Sequence, residues 1–199
     1  MASRLASIEE TRSRITAAAF ALHAEIGPSQ TTIRAIAERA GVQRHTVYAH
    51  FPDLEALYAA CTAHGISATA MPDGANWTAI GDPAERMRVG LTQLYAWYRA
   101  NEGMLLNVLR DGGAAAVAAA NTSEPDAFDR RMADMDTALA AGWHLSDQDR
   151  RAHFHAAISL ALAFETWRSL TGAGLTDAQA IGLLVGTVRA IADGTLRPG

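Results

Sequence analysis

An all-α fold is the prediction for this chain of 199 residues, and three features carry it. Strand signals are nearly absent, since no Asn-Gly or Asp-Gly joins two alternating β-branched runs. Apolar residues recur instead at the i, i+3, i+4, i+7 spacing of a helix with one buried face. Between the periodic stretches stand Thr, Ser or Asp where helices begin and Gly or Pro where they stop. Roughly nine helices result, three short ones ahead of a longer helical body.

Ile8, Ile15, Ala18, Ala19, Leu22 and Ile26 give a first amphipathic helix that ends at Gly27-Pro28. Thr31 or Thr32 caps a second, carrying Ile33, Ile36, Ala37 and Ala40, and Gly41 follows where a left-handed residue ends a helix. The stretch "GVQRHTVYAHF" forms a third, stopped by Pro52. Asp53 starts a fourth with Leu54, Leu57, Tyr58 and Cys61 on its apolar side. The run "SATAMPDGANWTAIGDP" has two Pro, two Gly and little periodicity, and reads as a connector. Met87, Leu91, Leu94 and Tyr98 then mark one helix, and Met104 to Arg110 a short separate one. Residues 112–123, "GGAAAVAAANTS", fit a helix or a loose linker equally well. Phe128, Met132, Met135 and Leu139 mark the next, ending near Gly142. Ser146 caps a helix expected to run to about Leu170, and Thr176 caps the last, to Ala192.

Composition narrows the class. With 49% apolar and 19% charged residues the chain can build a core and is not a disordered protein. The formal charge of −4 argues against a basic nucleic-acid coat, though not against a local basic surface. All seventeen cations are Arg; residues 1–64 hold six of them and six acids, whereas the remainder is acidic. A single cysteine, Cys61, excludes an internal disulfide framework and reads as a small buried hydrophobe rather than a redox sensor. The N-terminus has no signal-peptide core, and the longest apolar run, "AAISLALAF", is too short to span a bilayer. A cytoplasmic protein is expected.

One stretch is chemically unusual. The third helix carries Gln43, Arg44, His45, Thr46, Tyr48 and His50 but only Val47 and Phe51 as core-type residues. A merely solvated helix is normally richer in Glu and in i, i+4 ion pairs, yet no acid lies between Arg39 and Asp53. Helix, glycine turn and second helix over residues 32–51 make the helix-turn-helix layout, in which the second helix enters the major groove. Arg, Gln and Thr reach base edges, while Tyr and His reach phosphates.

These residues carry a family likeness. "TTIRAIAERAGVQRHTVYAHFPDLEALY", residues 31–58, resembles the DNA-binding signature of TetR-type transcriptional regulators. The resemblance implies an N-terminal three-helix DNA-binding domain, 1–52, and a helical effector-binding and dimerisation domain, 53–199, with helix 53–66 connecting them. It implies base contacts for Arg34, Gln43, Arg44, His45 and Thr46, and phosphate contacts for Thr32, Tyr48 and His50. Ile33, Ile36, Val42, Val47 and Phe51 would hold the motif together. Such regulators commonly place a phosphate-seeking Lys where this chain has Leu54, between Asp53 and Glu55. Fewer phosphate contacts are expected at that edge, offset by Arg4, Arg12 or Arg14.

The same resemblance implies a homodimer on a palindromic, double-stranded operator, joined through the last two helices. Gly182, Gly186 and Ala190, at four-residue spacing, would let a second helix approach closely. It also implies a small apolar or amphipathic effector. Trp97, Tyr98, Met104, Met135, Trp143, Phe154, Phe164 and Trp167 are candidates to line its pocket, with His153, His155 and Glu165 to orient it. Aromatic residues at helical spacing are equally ordinary core, and Glu165 is equally a partner for Arg168. His153 and His155 diverge on a helix and make no metal pair. No cofactor, metal or enzymatic activity is expected, since no phosphate loop, nucleophile elbow or zinc motif is present. The expected function is a ligand-responsive repressor; the alternative is a small-molecule binding or sequestering protein with vestigial DNA contacts.

Overall fold

A computed structural model describes residues 2–119, 127–145 and 148–196, and among these the chain is all-α, with nine α-helices and no strand. The helices are α1 Ala2–Ile26, α2 Ile33–Ala40, α3 Arg44–His50, α4 Leu54–Ala68, α5 Pro83–Ala119, α6 Ala127–Ala140, α7 Gln148–Leu162, α8 Phe164–Gly172 and α9 Asp177–Ala192. The chain divides into two compact units, Met1–Ala70 with Asn101–Phe128, and Met71–Ala100 with Asp129–Gly199. The boundary at 52/53 read from the sequence falls inside the first unit. Leu57 and Cys61 of α4 join the same core as Ile15 and Ala19 of α1 and Ile36 of α2.

In the first unit, α1 turns its buried Ile15, Ala19 and Leu22 onto α2 and α4, while Ile8 and Ile26 at its ends stay largely exposed. Its last carbonyls are satisfied by the second part of α5: Asn107 Nδ2 donates to Ala24 O at 2.8 Å and Arg110 Nη2 to Ile26 O at 3.1 Å. Asp111 accepts from the Ser29 amide at 3.1 Å and pairs with Arg110 at 2.9 Å, and these hydrogen bonds hold its carboxyl down at about 2. Gly27 fits this seam for two reasons: its φ is +91°, and a Cβ there would stand 2.2 Å from Asp111 Oδ2. Helix α4 begins as expected, with Asp53 accepting from the Ala56 amide at 2.8 Å. Leu54 is not on its apolar side, however; as the first residue of the helix it is 56% exposed.

In the second unit, the expected connector is packed rather than loose. Met71 and Trp77 are buried, and Trp77 Nε1 donates to Gln93 Oε1 at 2.9 Å. Arg86 is 5% exposed and gives its protons to the carbonyls of Ile80, Ala138 and Ala141, so a buried cation seals the connector against the end of α6.

Two expected helix boundaries are corrected. The helix at Tyr98 and the short one at Met104–Arg110 are one, α5, which runs through Gly103. That glycine is exposed, and its cost of about 1 kcal/mol against Ala is outweighed by burial of α5 residues such as Leu91, Leu94 and Tyr98. The backbone of 112–119 continues α5, and 120–123 lie outside the described residues. The helix expected to run to Leu170 is broken at Ala163, whose φ of −71° and ψ of 132° are extended. The break strands the carbonyls of Ala161 and Leu162, which accept instead from the hydroxyls of Tyr95, at 2.9 Å, and Tyr98. Both tyrosines are fully buried, and burial pushes both phenols well above their ordinary value. Ser146 lies outside the described residues, whereas Thr176 caps α9 as expected, in a reciprocal capping box with Gln179.

Candidate nucleic-acid interface

Helices α2 and α3 are short, eight and seven residues, and each is set by its ends. Thr32 accepts from the Ala35 amide at 3.1 Å and starts α2. Gly41 ends it with φ +65° and ψ 38°, and the Val42 amide donates back to Ala37 O at 3.0 Å. That is a Schellman closure, and it lets the chain reverse within two residues. Gln43 then enters α3 with its side chain making no cap hydrogen bond, so the amide is left for other work.

Ile36, Val47 and Phe51 are almost completely buried, and Ile33 and Val42 pack partly buried against the same core. With Val47 and Phe51 facing in, Gln43, Arg44, His45 and Tyr48 are exposed, while Thr46 and His50 are half-buried. Tyr48 keeps 53% of its surface in solvent, unusual for a large aromatic side chain. The chain therefore assembles a surface with amide, guanidinium, imidazole and phenol groups and no carboxylate of its own. Thr32 and Arg34 are exposed on α2.

The charges around this surface are partly engaged. Arg34 Nε sits 2.8 Å from Glu38 Oε1 one turn along α2, and the side chain stays largely exposed. Arg39 makes a two-pronged pair with Glu25, at 2.6 and 2.8 Å, which ties α2 to the end of α1. Arg12, one of the cations expected to compensate for Leu54, is half-buried and donates from Nη1 to His50 O at 2.8 Å. Its guanidinium lies over the Phe51 ring, 4.3 Å from the centroid. No local pattern in the chain marks this contact, because its partners are 38 positions apart. Arg4 and Arg14 are exposed on α1.

Two compact, glycine-joined helices over a shared apolar core, the second with an exposed polar face, define a helix-turn-helix DNA-binding domain. Residues 15–61 match the family model described as bacterial regulatory proteins, tetR family, and this match supports a DNA-binding transcriptional regulator of the TetR type. No curated protein matches the chain. Among the described residues no helix is long and apolar enough to cross a membrane.

The residues expected to receive an effector are distributed less uniformly. In the second unit Trp97, Tyr98, Phe164 and Trp167 form a connected group of rings with centroids 5.2 to 5.8 Å apart, none more than 7% exposed. Trp143 and Phe154 form a separate edge-to-face pair at 5.7 Å, and Met135 is fully buried. Met104 belongs to the first unit and is half-buried. His153 and Glu165 are exposed; His153 Nδ1 faces Asp149 O at 2.7 Å, and Glu165 lies in the first turn of α8 with no ion pair to Arg168 among the described residues. Cys61 is buried, and desolvation pushes its thiol up to about 12, far from a reactive thiolate. On α9, Gly182 and Gly186 are exposed and a Cβ at either would meet nothing within 4 Å, while Ala190 is half-buried.

Proposed function

We propose that this regulator is a ligand-responsive repressor that binds a palindromic operator as a homodimer and is released by a small apolar or amphipathic effector. The observation that carries it is the exposed face of α3, free of carboxylates and held from behind by Val47 and Phe51. In this reading Gln43, Arg44, His45 and Thr46, with Arg34 from α2, read base edges, and Thr32, Tyr48 and His50 fix the register on phosphates. Residues 1–52 are the reading head, 53–199 the effector and dimerisation body, and helix 53–66 their connection.

The effector's seat is the aromatic group around Tyr98 and Trp167, with Trp143 and Phe154 as a second apolar edge. His153 and Glu165 would meet the polar end of an amphipathic molecule. Release requires that the effector bind the form that does not hold DNA better than the form that does; equal affinity would shift nothing. Gly182, Gly186 and Ala190 present the surface on which the partner's last helix closes, so that two reading heads meet two half-sites.

Selection of bound duplexes from a random pool by the purified protein, followed by anisotropy titration at two salt concentrations, tests the reading. A palindromic consensus bound about a thousandfold or more tighter than scrambled DNA, within the roughly 10³–10⁷ range of specific regulators, supports it. Weak, steeply salt-dependent binding without enrichment, combined with tight small-molecule binding, would favour a sequestering protein instead.

A further inference from the structure

We propose that Arg12 is a positioning residue for DNA reading, an α1 side chain that fixes the C-terminal end of the recognition helix rather than a cation that reaches the duplex. The inference rests on the reading of α3 as that helix. One planar group makes two contacts on consecutive residues: a hydrogen bond to the carbonyl of His50, the last residue of α3, and a cation–π contact with Phe51, its C-cap.

Helix α3 needs such a contact. Seven residues are far too few for a helix to persist in water unaided. Its N-cap, Gln43, makes no side-chain hydrogen bond, and Val47 is its one buried residue. Pro52 follows Phe51 and has no amide proton, so the carbonyl of Tyr48 loses the donor four residues on, and the last turn must find partners elsewhere. A cation at a helix C-terminus is also favoured by the exposed carbonyl dipoles. Apolar burial of Val47 and Phe51 is non-directional and sets how deeply α3 sits. The Arg12 hydrogen bond is directional and sets how it is tilted. Arg4 and Arg14 remain as the exposed cations of α1 that can meet phosphates.

The test compares full-length Arg12→Met and Arg12→Lys with the unaltered protein. Amide hydrogen exchange of residues 44–51 is measured without DNA, and affinity for the selected operator and a scrambled duplex is measured at two salt concentrations. Loss of a charge-assisted hydrogen bond predicts that R12M exchanges in α3 about tenfold faster or more, with α2 unchanged. Discrimination between operator and scrambled DNA falls by a similar factor, while scrambled binding and its salt slope stay as they were. R12K, which reaches the carbonyl but cannot spread over Phe51, recovers part of both. Unchanged α3 exchange, with a salt slope shallower by about one on both duplexes, makes Arg12 a phosphate contact and overturns the proposal. Should R12M lose protection throughout the first unit, R12K decides: reduced discrimination with native protection elsewhere supports the proposal, and wild-type discrimination ends it. If the unaltered protein itself discriminates no sequence, the DNA-reading proposal fails, and the exchange of α3 still decides whether Arg12 holds that helix.

Discussion

Arg44 and Tyr48 stand one helical turn apart on the exposed face of α3, and their chemistry separates what their replacement does. Arg44→Ala is expected to change which bases are preferred at one position of each half-site, at a cost of about 1–3 kcal/mol for the preferred sequence. Equal loss on every duplex would remove Arg44 from the reading set. Tyr48→Phe is expected to weaken all duplexes alike with little change in salt slope, because a neutral hydroxyl displaces no counterion. A third residue governs pH response. His23 is 7% exposed and stacks on Tyr58 at 5.2 Å, and burial pulls its imidazole below the ordinary 6.5. The unfolded chain therefore takes up the proton first, so stability is complete above about pH 6.5 and falls as pH drops towards the lowered folded value. Urea denaturation from pH 8 to 5 should show this loss, and His23→Phe should flatten it; an identical slope in the variant would assign the loss to other groups. At this scale the residue types of α3 were legible because their polarity conflicts with a solvated helix. Arg12 was not, because its partners lie on another helix.

Helices differed in legibility for reasons that can be named. Helix α2 was read to its end at Gly41 and to within one residue at its start, where Thr31 and Thr32 both offered a cap and the helix uses Thr32. These signals are written in the chain itself. The same holds for the Thr176 start of α9. The merger of two expected helices into α5 was hidden by Gly103, a local breaker overruled by burial along the rest of the helix. The break at Ala163 was hidden for the opposite reason, because the apolar run from Ala156 to Phe164 contains neither Gly nor Pro. What permits the break is remote: hydroxyls of Tyr95 and Tyr98, more than sixty positions away, satisfy the carbonyls it exposes. Tyr98→Phe keeps the ring among Trp97, Phe164 and Trp167 and removes only the donor to Leu162. The buried carbonyl left behind should cost about 1–3 kcal/mol in urea denaturation, with the m-value unchanged. A loss below a few tenths of a kcal/mol would mean that the carbonyl finds another donor and that the break does not depend on this tyrosine.

At the scale of the whole molecule, the surface of α9 makes a prediction in which two effects have opposite signs. Gly182 and Gly186 sit in helix interior, exposed, with no atom of the described residues beyond their own helix backbone and chain neighbours within 4 Å of where a Cβ would stand, and Leu183 beside them is 52% exposed. Within one protomer nothing rewards a glycine there, and each costs about 0.5–1 kcal/mol relative to Ala. A residue with a longer side chain should therefore leave the folded protomer as stable or slightly more so. If the partner's helix closes on this stripe, the same side chain opens the interface, and a carboxylate would also be buried without a counter-charge. Gly186→Glu thus separates the two roles. Sedimentation should show a monomer in place of the proposed dimer, while far-UV circular dichroism and the protection of the first unit remain native. Affinity for the full palindrome should fall to that of a single half-site, because binding of the second head is no longer intramolecular. A variant that stays dimeric and binds the palindrome at full strength would place the interface on another face of the molecule. A variant that loses helicity would instead mean that this part of α9 is covered within the protomer.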